Sequence, residues 1–394
     1  MNSFKRTLLV CWLGVFTTNM GLSQIAPILP LYLRELGLKD HADIAFFSGL
    51  GFGITPLFVA IFSPLWAFLA AKYGYKSMLL RASLGMSIST FCLSFANSGV
   101  DVVIIRALMG VVAGFTSAAV VFIAVIFPKS KVAYALGTLS TASISGSLIG
   151  PLFGGIVAEF LSIRSVFYLI AFFIACSFIT IYFFIDEKRI LKKQEKSTGT
   201  IKQNIFLILT LFIATFFIQF GVSGTMPILT LLVEQIYQGE KIAFWAGIVV
   251  ASSGISNLLF ATKLGKIADK TGPSKIIFIA LLFSGLMFYL QAIAHNVYML
   301  ILVRLFLGIG LGGLVPCINA LLKKSINTKN LSLAFGINQS AYYLGNFSGS
   351  FGNGILAGKF GVQFVFLMIC ILFISNALLF LLLNKKRIFS NKDL

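Results

Sequence analysis

The chain has 394 residues, 58% of them hydrophobic and only 11% charged, with 41 phenylalanines and a mean hydropathy of +0.97. So few polar side chains cannot cover a water-soluble domain of this length, which excludes a soluble enzyme or binding module. The formal charge of +19 raises the question of nucleic acid, and the placement of that charge along the chain answers it.

The N-terminus, MNSFKRTLLVCWLGVF, has the basic start and apolar run of a signal peptide. The run continues past Pro27 to about Leu33 without a small-residue cleavage site, so a retained first helix is expected. Similar apolar runs follow end to end, each long enough to cross about 30 Å of hydrocarbon. Lipid offers the backbone no hydrogen bonds, and the runs are too long and uniform for barrel strands, so they are read as spanning helices. Helices are expected near 7–33, 45–70, 77–97, 100–127, 134–159 and 166–185. A second set is expected near 204–233, 241–265, 275–294, 297–321, 333–357 and 362–384. The expected fold class is thus an all-α polytopic membrane protein with twelve transmembrane helices. Its N-terminal half is 1–185, its basic linker 186–203 and its C-terminal half 204–394.

With twelve spans, alternate loops lie on opposite sides. One side carries Lys5, Arg6, Lys72, Lys76, Lys129, Lys131, the linker cluster from Lys188 to Lys202, Lys263, Lys266, Lys270, Lys275, Lys323, Lys324, Lys329 and the tail. The other carries only Arg34, Lys39, Arg164, Lys241 and Lys359. The basic excess therefore reads as a topology signal that puts both termini in the cytoplasm, and no nucleic-acid partner is expected. Cys11, Cys92, Cys176, Cys317 and Cys370 are scattered one per helix, and His41 and His295 fall in loops far apart. That pattern suggests packing residues and solvated histidines, and no metal or cofactor is expected.

The halves repeat each other at an offset near 200 residues. PILPLYL from Pro27 matches PILTLLV from Pro227, and LAAKYGYK with Lys72, Gly74 and Lys76 matches IADKTGPSK with Asp269, Lys270, Gly272 and Lys275. IIRALMG with Arg106 and Gly110 matches LVRLFLG with Arg304 and Gly308, and Gly146 and Gly150 match Gly345 and Gly349. Two related six-helix bundles with a site between them near mid-membrane is the plan of a rocking-bundle secondary transporter.

On these repeated motifs the chain resembles the major facilitator superfamily, and within it the twelve-span drug:proton antiporters. The stretches SPLWAFLAAKYGYKSMLLRASLGM and ALGTLSTASISGSLIGPLFGG resemble the MdtG group of bacterial inner-membrane multidrug exporters. The resemblance implies a small-molecule substrate, a coupled proton, a monomer among membrane lipids and a place in the bacterial inner membrane. It also implies that Lys72, Gly74, Lys76, Gly265, Asp269, Lys270, Gly272 and Lys275 latch a cytoplasmic gate. The first copy departs from the pattern, with Ala67 for the first glycine and Ala71 where the acid is expected; there a turn that only fixes topology is the alternative.

An arginine inside a span is costly enough to suggest function, facing a cavity or a polar partner. The family implicates the arginine matching Arg106 in proton transfer; structural pairing with backbone or with a polar group on helix 1 is the alternative. Asp101 is carried with it as a coupling candidate, although five residues place it off the face of Arg106. Arg81, nearer the end of helix 3, reads as a snorkelling anchor. The substrate cavity is expected to draw on Thr18, Asn19 and Gln24 of helix 1, Gln219 of helix 7, Asn257 of helix 8, Arg304 of helix 10, and Asn338, Gln339, Tyr342 and Asn346 of helix 11. Amide groups among aromatics can orient varied amphipathic ligands, and each can equally serve as an interhelical hydrogen bond.

Helix 5 carries Gly146, Gly150, Pro151, Gly154 and Gly155, and Gly146, Gly150 and Gly154 form one small-residue stripe. Such a stripe lets a neighbour approach closely, and the family places helix 8 there. In the family this pattern marks exporters, so efflux of amphipathic compounds is the first expectation. A transporter of one metabolite, such as a siderophore, sugar or peptide-like solute, is the alternative, and a non-transporting receptor or scaffold is the third reading. No nucleotide-binding loop, HExxH or GxSxG occurs, so no enzyme activity is expected and the energy must come from an ion gradient.

Overall fold

A computed structural model describes residues 3–127, 129–185, 205–325 and 331–389; the expected linker 186–203 and the side chains of Ala71 and Asp269 lie outside the described residues. Every regular element among the described residues is an α-helix. The first seven are α1 (Ser3–Ser23), α2 (Ile25–Glu35), α3 (His41–Tyr73), α4 (Tyr75–Leu93), α5 (Gly99–Val112), α6 (Phe115–Ile126) and α7 (Lys129–Phe160). There follow α8 (Ile163–Phe184), α9 (Ile205–Gly224), α10 (Met226–Ile236), α11 (Ile242–Thr271), α12 (Pro273–Ala292), α13 (Val297–Ser325), α14 (Leu331–Phe360) and α15 (Val362–Phe389).

Three of the twelve expected helices are interrupted. The first divides into α1 and α2 at Gln24, with a bend of 44°. The fourth divides into α5 and α6 at Ala113 and Gly114, and the seventh into α9 and α10 at Thr225. Prolines account for two of these places. Pro27 and Pro227 lack the N–H that would bond the carbonyls of Ser23 and Ser223, four residues back. By length and apolarity alone nine spans qualify among the described residues, α5 and α6 counting together as one over Gly99–Ile126, and the α1/α2 pair is a tenth. The third and eleventh expected helices, α4 and α14, fall short because Lys76, Arg81 and several serines dilute α4, and glycine, serine and asparagine dilute α14.

The chain groups into two compact units. Unit one holds Met1–Asp40, Leu50–Lys193 and Lys241–Ile248; unit two holds His41–Gly49, Gln194–Glu240 and Val249–Leu394. Large apolar side chains such as Phe68, Tyr134 and Leu382 remain exposed, as a lipid-facing surface requires. Because lipid tails are as apolar as leucine, helices in a bilayer gain little from apolar burial and associate through close backbone packing at small residues. Both units are built that way. In unit one Gly146, Gly150 and Gly154 of α7 lie against α1 and its junction with α2. A side chain at Gly146 would run into the carbonyl of Phe16, and one at Gly150 into the Ser23 hydroxyl and the carbonyl of Met20. A Cβ at Gly154 would sit 2.8 Å from the carbonyl of Gln24.

The expected contact of this stripe with helix 8 is therefore corrected: the stripe serves helix 1. The residue that meets helix 8 is Gly155, whose Cβ would lie 2.5 Å from the carbonyl of Ala243 and 3.1 Å from the Cα of Gly247. One residue along a helix is a rotation of about 100°, so Gly154 and Gly155 address different neighbours. Gly247 in turn packs on Pro151, where a Cβ on Gly247 would lie 2.7 Å from the Pro151 carbonyl.

Unit two repeats the arrangement. Gly345 and Gly349 of α14 pack on the carbonyls of Phe216 and Phe220 in α9, and a Cβ at Gly354 would lie 2.5 Å from the carbonyl of Ala45 and 3.1 Å from the Cα of Gly49, the spacing seen at Gly155. It departs at two places. Ser350, in the position of Pro151, donates its hydroxyl to the carbonyl of Ser223 at 3.5 Å, the group that Pro227 leaves without a donor. Asn353, in the position of Gly154, donates its amide to the carbonyl of Phe220 at 3.2 Å.

Replacing Gly150 with leucine is expected to push α7 away from α1, costing about 1–3 kcal/mol of stability. Gly137, with open space around it, is the control. Thermal melting in detergent should show a lowered midpoint for the Gly150 variant and none for Gly137→Leu, with both proteins inserted normally.

Candidate functional site

Arg106 and Arg304 are the largest fully buried side chains of the protein, at 2% and 0% exposure. Both address backbone. Arg106 donates from Nε to the carbonyl of Gly51 at 3.0 Å and from Nη2 to that of Phe52 at 3.5 Å. Arg304 donates from Nε to Val249 at 3.3 Å and from Nη2 to Val250 at 3.5 Å. Each pair of carbonyls lies at the same distance along the sequence from its arginine, so the repeat is kept to the level of single atoms.

The chemistry behind the two clamps differs. In α3, Pro56 has no N–H for the carbonyl of Phe52, and Arg106 supplies a donor to it. In α11 no proline intervenes, and the Arg304 guanidinium instead adds a 2.8 Å bond to the Ser253 hydroxyl, while its Nη1 is buried without a hydrogen-bond partner. Glycines four residues on complete both contacts. A Cβ at Gly110 would lie 2.5 Å from the carbonyl of Thr55, and one at Gly308 would strike that of Ser253. Thr55 closes the first contact by donating to the carbonyl of Arg106 at 2.8 Å.

Asp101 is not brought to Arg106. Its carboxylate accepts from the backbone of Asn97 at 3.0 Å, and the Ser98 hydroxyl accepts from the backbone of Asp101 at 3.1 Å. This is a reciprocal capping box at the start of α5. The sequence Ser98-x-x-Asp101 carried that signal. The repeat keeps half of it: Asn296 accepts from Met299 at 2.8 Å, with no carboxylate in the position of Asp101.

The amides expected to line a cavity divide into spent and unspent groups. Thr18 bonds back to Gly14 at 2.7 Å within its own helix. Asn19 joins three helices, donating to Val15 at 2.8 Å and Thr116 at 3.0 Å and accepting from Ser143 at 3.3 Å. Asn338 accepts from Thr215 at 2.8 Å, Gln219 from Ser223 at 3.1 Å, and Gln339 pairs with Tyr343. Tyr342 stands edge-on to Tyr343 with ring centroids 5.5 Å apart. Asn257 is half-buried on α11, with its backbone carbonyl close to Gly312. Gln24 is 1% exposed, and neither amide atom has a hydrogen-bond partner; the buried Oδ1 of Asn346 also lacks one.

In the gate motif the turns are made by Gly74 and Gly272, at φ of 91° and 93°, a region that favours glycine. Gly265 is helical within α11, with open space where its side chain would be. Lys76 donates to the carbonyl of Tyr182 at 3.0 Å, Lys72 lies over the ring of Tyr73, Lys270 is in the last turn of α11 and Lys275 in the first turn of α12.

Sequence reasoning misplaced Arg81. It does not snorkel: its guanidinium stacks on the indole of Trp66 at 3.6 Å and donates to the carbonyl of Ala113 at 3.1 Å. Hydropathy carries no signal for the direction of that side chain.

Lysine at position 304 reaches at most part of what the guanidinium holds, since its single ammonium cannot span two carbonyls and a hydroxyl. Arg304→Lys is expected to cost about 1–3 kcal/mol, read as a lowered melting midpoint in detergent.

Comparison with known proteins agrees with this geometry. The sequence profile of the Major Facilitator Superfamily matches residues 11–236 and again 211–392. The chain is 36% identical over 369 residues to the multi-drug resistance efflux pump PmrA of Streptococcus pneumoniae, covering 92% of each chain. It is 37% identical over 382 residues to the multidrug resistance protein MdtG of Salmonella schwarzengrund, covering 95% of each. Among solved structures, a bacterial homolog of the human lysosomal transporter Spinster, inward-facing and unoccupied, superposes with a TM-score of 0.81 at 13% identity, covering 98% of each chain. The nucleoside transporter NupG superposes with a TM-score of 0.79 at 14% identity, covering 97% of this chain and 100% of NupG. The chain belongs to the Major Facilitator Superfamily and is a multi-pass membrane protein that transports small molecules, not an enzyme.

Proposed function

We propose that this chain exports amphipathic compounds from a bacterial cell by alternating access, driven by an inward proton gradient, with 1–185 and 204–394 as its two halves. The observation that carries the reading is similarity along more than nine-tenths of the chain to relatives that are themselves named multidrug efflux pumps. In this reading the protein is a monomer in the bacterial inner membrane, surrounded by lipid, and its basic side, with both termini, faces the cytoplasm. Thr18, Asn19, Gln24, Gln219, Asn257, Arg304, Asn338, Gln339, Tyr342 and Asn346 contribute to substrate handling. The turns at Gly74 and Gly272, with Lys72, Lys76, Gly265, Asp269, Lys270 and Lys275, form the cytoplasmic gate.

Two features of the geometry support particular roles. The glycines of α7 allow backbone-to-backbone sliding contacts on α1 and on the start of α11, which suits helices that must shift without unpacking. Arg106 is held by neutral carbonyls, so its positive charge is a fixed electrostatic element near any proton path. Asp101 caps its helix in this state, and a coupling role requires that the cap opens during the cycle.

Reconstituted vesicles test the reading with ethidium, which is cationic, and Nile red, which is neutral. Both dyes are expected to be moved only under an imposed proton gradient and to stop moving with a protonophore. Asp101→Asn and Arg106→Lys are expected to reduce gradient-driven movement at least tenfold, a loss of about 1.4 kcal/mol or more in driving the rate-limiting step. Movement that ignores the gradient would remove proton coupling, and full activity of both variants would remove these two residues from it.

A further inference from the structure

The fourth helix is broken and its repeat partner is not, although both carry glycine at the place. Gly114 has φ of 110° and separates α5 from α6, whereas its counterpart Gly312 lies inside the continuous α13. Glycine alone therefore does not make the break. A broken helix in a bilayer exposes carbonyls that need donors from elsewhere. At the end of α5 two are supplied: the indole of Trp66 donates to the carbonyl of Val111 at 2.6 Å, and Arg81 donates to that of Ala113 at 3.1 Å. The guanidinium lies over the indole, its Cζ 3.6 Å from the ring centroid, so the two donors brace each other. Four residues beyond Arg81 on the same face of α4, Gly85 admits Val112 so closely that a Cβ there would sit 2.7 Å from the Val112 side chain. In the repeat, the positions of Trp66 and Arg81 hold Leu264 and Ile279, which have no donor to offer, and Ile279 is exposed.

The two pieces of the fourth helix are tied to different neighbours. α5 is held to α3 at Arg106 by Gly51, Phe52 and Thr55, and again at Val111 by Trp66. α6 is tied to α1 through Thr116 and Asn19, and Phe115 fills the space over Gly14 of α1. Ala113 and Gly114, where Arg81 sits, connect the piece anchored to α3 with the piece anchored to α1.

We propose that Arg81, braced on Trp66, is a positioning residue of the transport cycle: it locks the joint in the fourth helix and thereby fixes α5, with Arg106, relative to α6. It acts through the backbone of Ala113 and touches no substrate. The proposal rests on the chain being a transporter, and its first test needs no substrate.

Hydrogen–deuterium exchange over residues 111–118 in lipid nanodiscs reads the lock directly. Arg81→Met is expected to speed exchange there by about tenfold, with Arg81→Lys close to the parent because an ammonium can keep the indole and one carbonyl. Trp66→Phe, which removes only the indole donor, should change exchange in the same direction by less, and serves if the Arg81 variant does not fold. In ethidium efflux by the same proteins, Arg81→Met is expected to lower the maximal rate per molecule about tenfold while leaving half-saturation within about twofold. Unchanged exchange in Arg81→Met would overturn the lock, and faster exchange with an unchanged rate per molecule would overturn its part in transport. If the parent protein moves no ethidium, the export reading fails, and exchange alone still decides whether Arg81 holds the joint.

Discussion

A carbonyl released from a helix inside a bilayer has no water to turn to, so some side chain must bring it a donor. The rest of this structure depends on that constraint. Pro56 leaves the carbonyl of Phe52 without a donor and Arg106 answers it; Pro227 leaves that of Ser223 and Ser350 answers it; the break after Val112 opens two carbonyls and Trp66 and Arg81 answer them. In each case the irregular backbone and the donor come from different helices. The need for a hydrogen bond thus becomes a joint between helices, and it fixes which helices move together.

Glycine makes these joints short enough to form. The arginine clamps would not reach their carbonyls if Gly110 and Gly308 carried side chains, because those positions already touch the backbone of the partner helix. The two units share the clamps, the stripe and the Gly155/Gly354 contacts. They differ at Pro151 and Ser350, at Gly154 and Asn353, at Trp66 and Leu264, and at Arg81 and Ile279. At the third glycine of the stripe the units exchange their buried amides. In unit one the amide is Gln24 of the first helix opposite Gly154, and in unit two it is Asn353 opposite Gly224. One shared scaffold therefore carries two sets of joints, and unit one has the bent first helix and the broken fourth.

Much of this was legible in the sequence. Apolar run length gives the helices, and the offset repeat pairs Arg106 with Arg304 and Gly146 with Gly345. The alternative reading of Arg106, structural pairing with backbone, is the one its hydrogen bonds display. Direction was not legible. A stripe at i, i+4 and i+8 announces a close neighbour without saying which, and here that neighbour is the first helix, with Pro151 and Gly155 turned to the eighth. Arg81 near the end of a span has the composition of a snorkelling anchor, and only the position of Trp66 on another helix turns it inward. The interruption at Ala113 was hidden for the same reason, since Gly114 and Gly312 are equal in sequence and the donors that separate them lie some 30 to 50 residues away. The capping role of Asp101 was written locally in Ser98-x-x-Asp101 and was outweighed by its nearness in sequence to Arg106.

The account turns on arginine bonding to backbone carbonyl within a membrane-spanning helix, and solid-state NMR of the protein in lipid measures that contact. With carbonyl-13C glycine and guanidino-15N arginine, the Nε of Arg106 should show a dipolar coupling to the Gly51 carbonyl carbon corresponding to roughly 4 Å, as a hydrogen bond of this length requires. With carbonyl-13C valine the same should hold for Arg304 and Val249. Loss of the glycine coupling in Arg106→Lys would assign it. Absence of any coupling within about 6 Å in the parent protein, or guanidinium shifts that report a carboxylate partner instead, would contradict the clamp on which the joints are built.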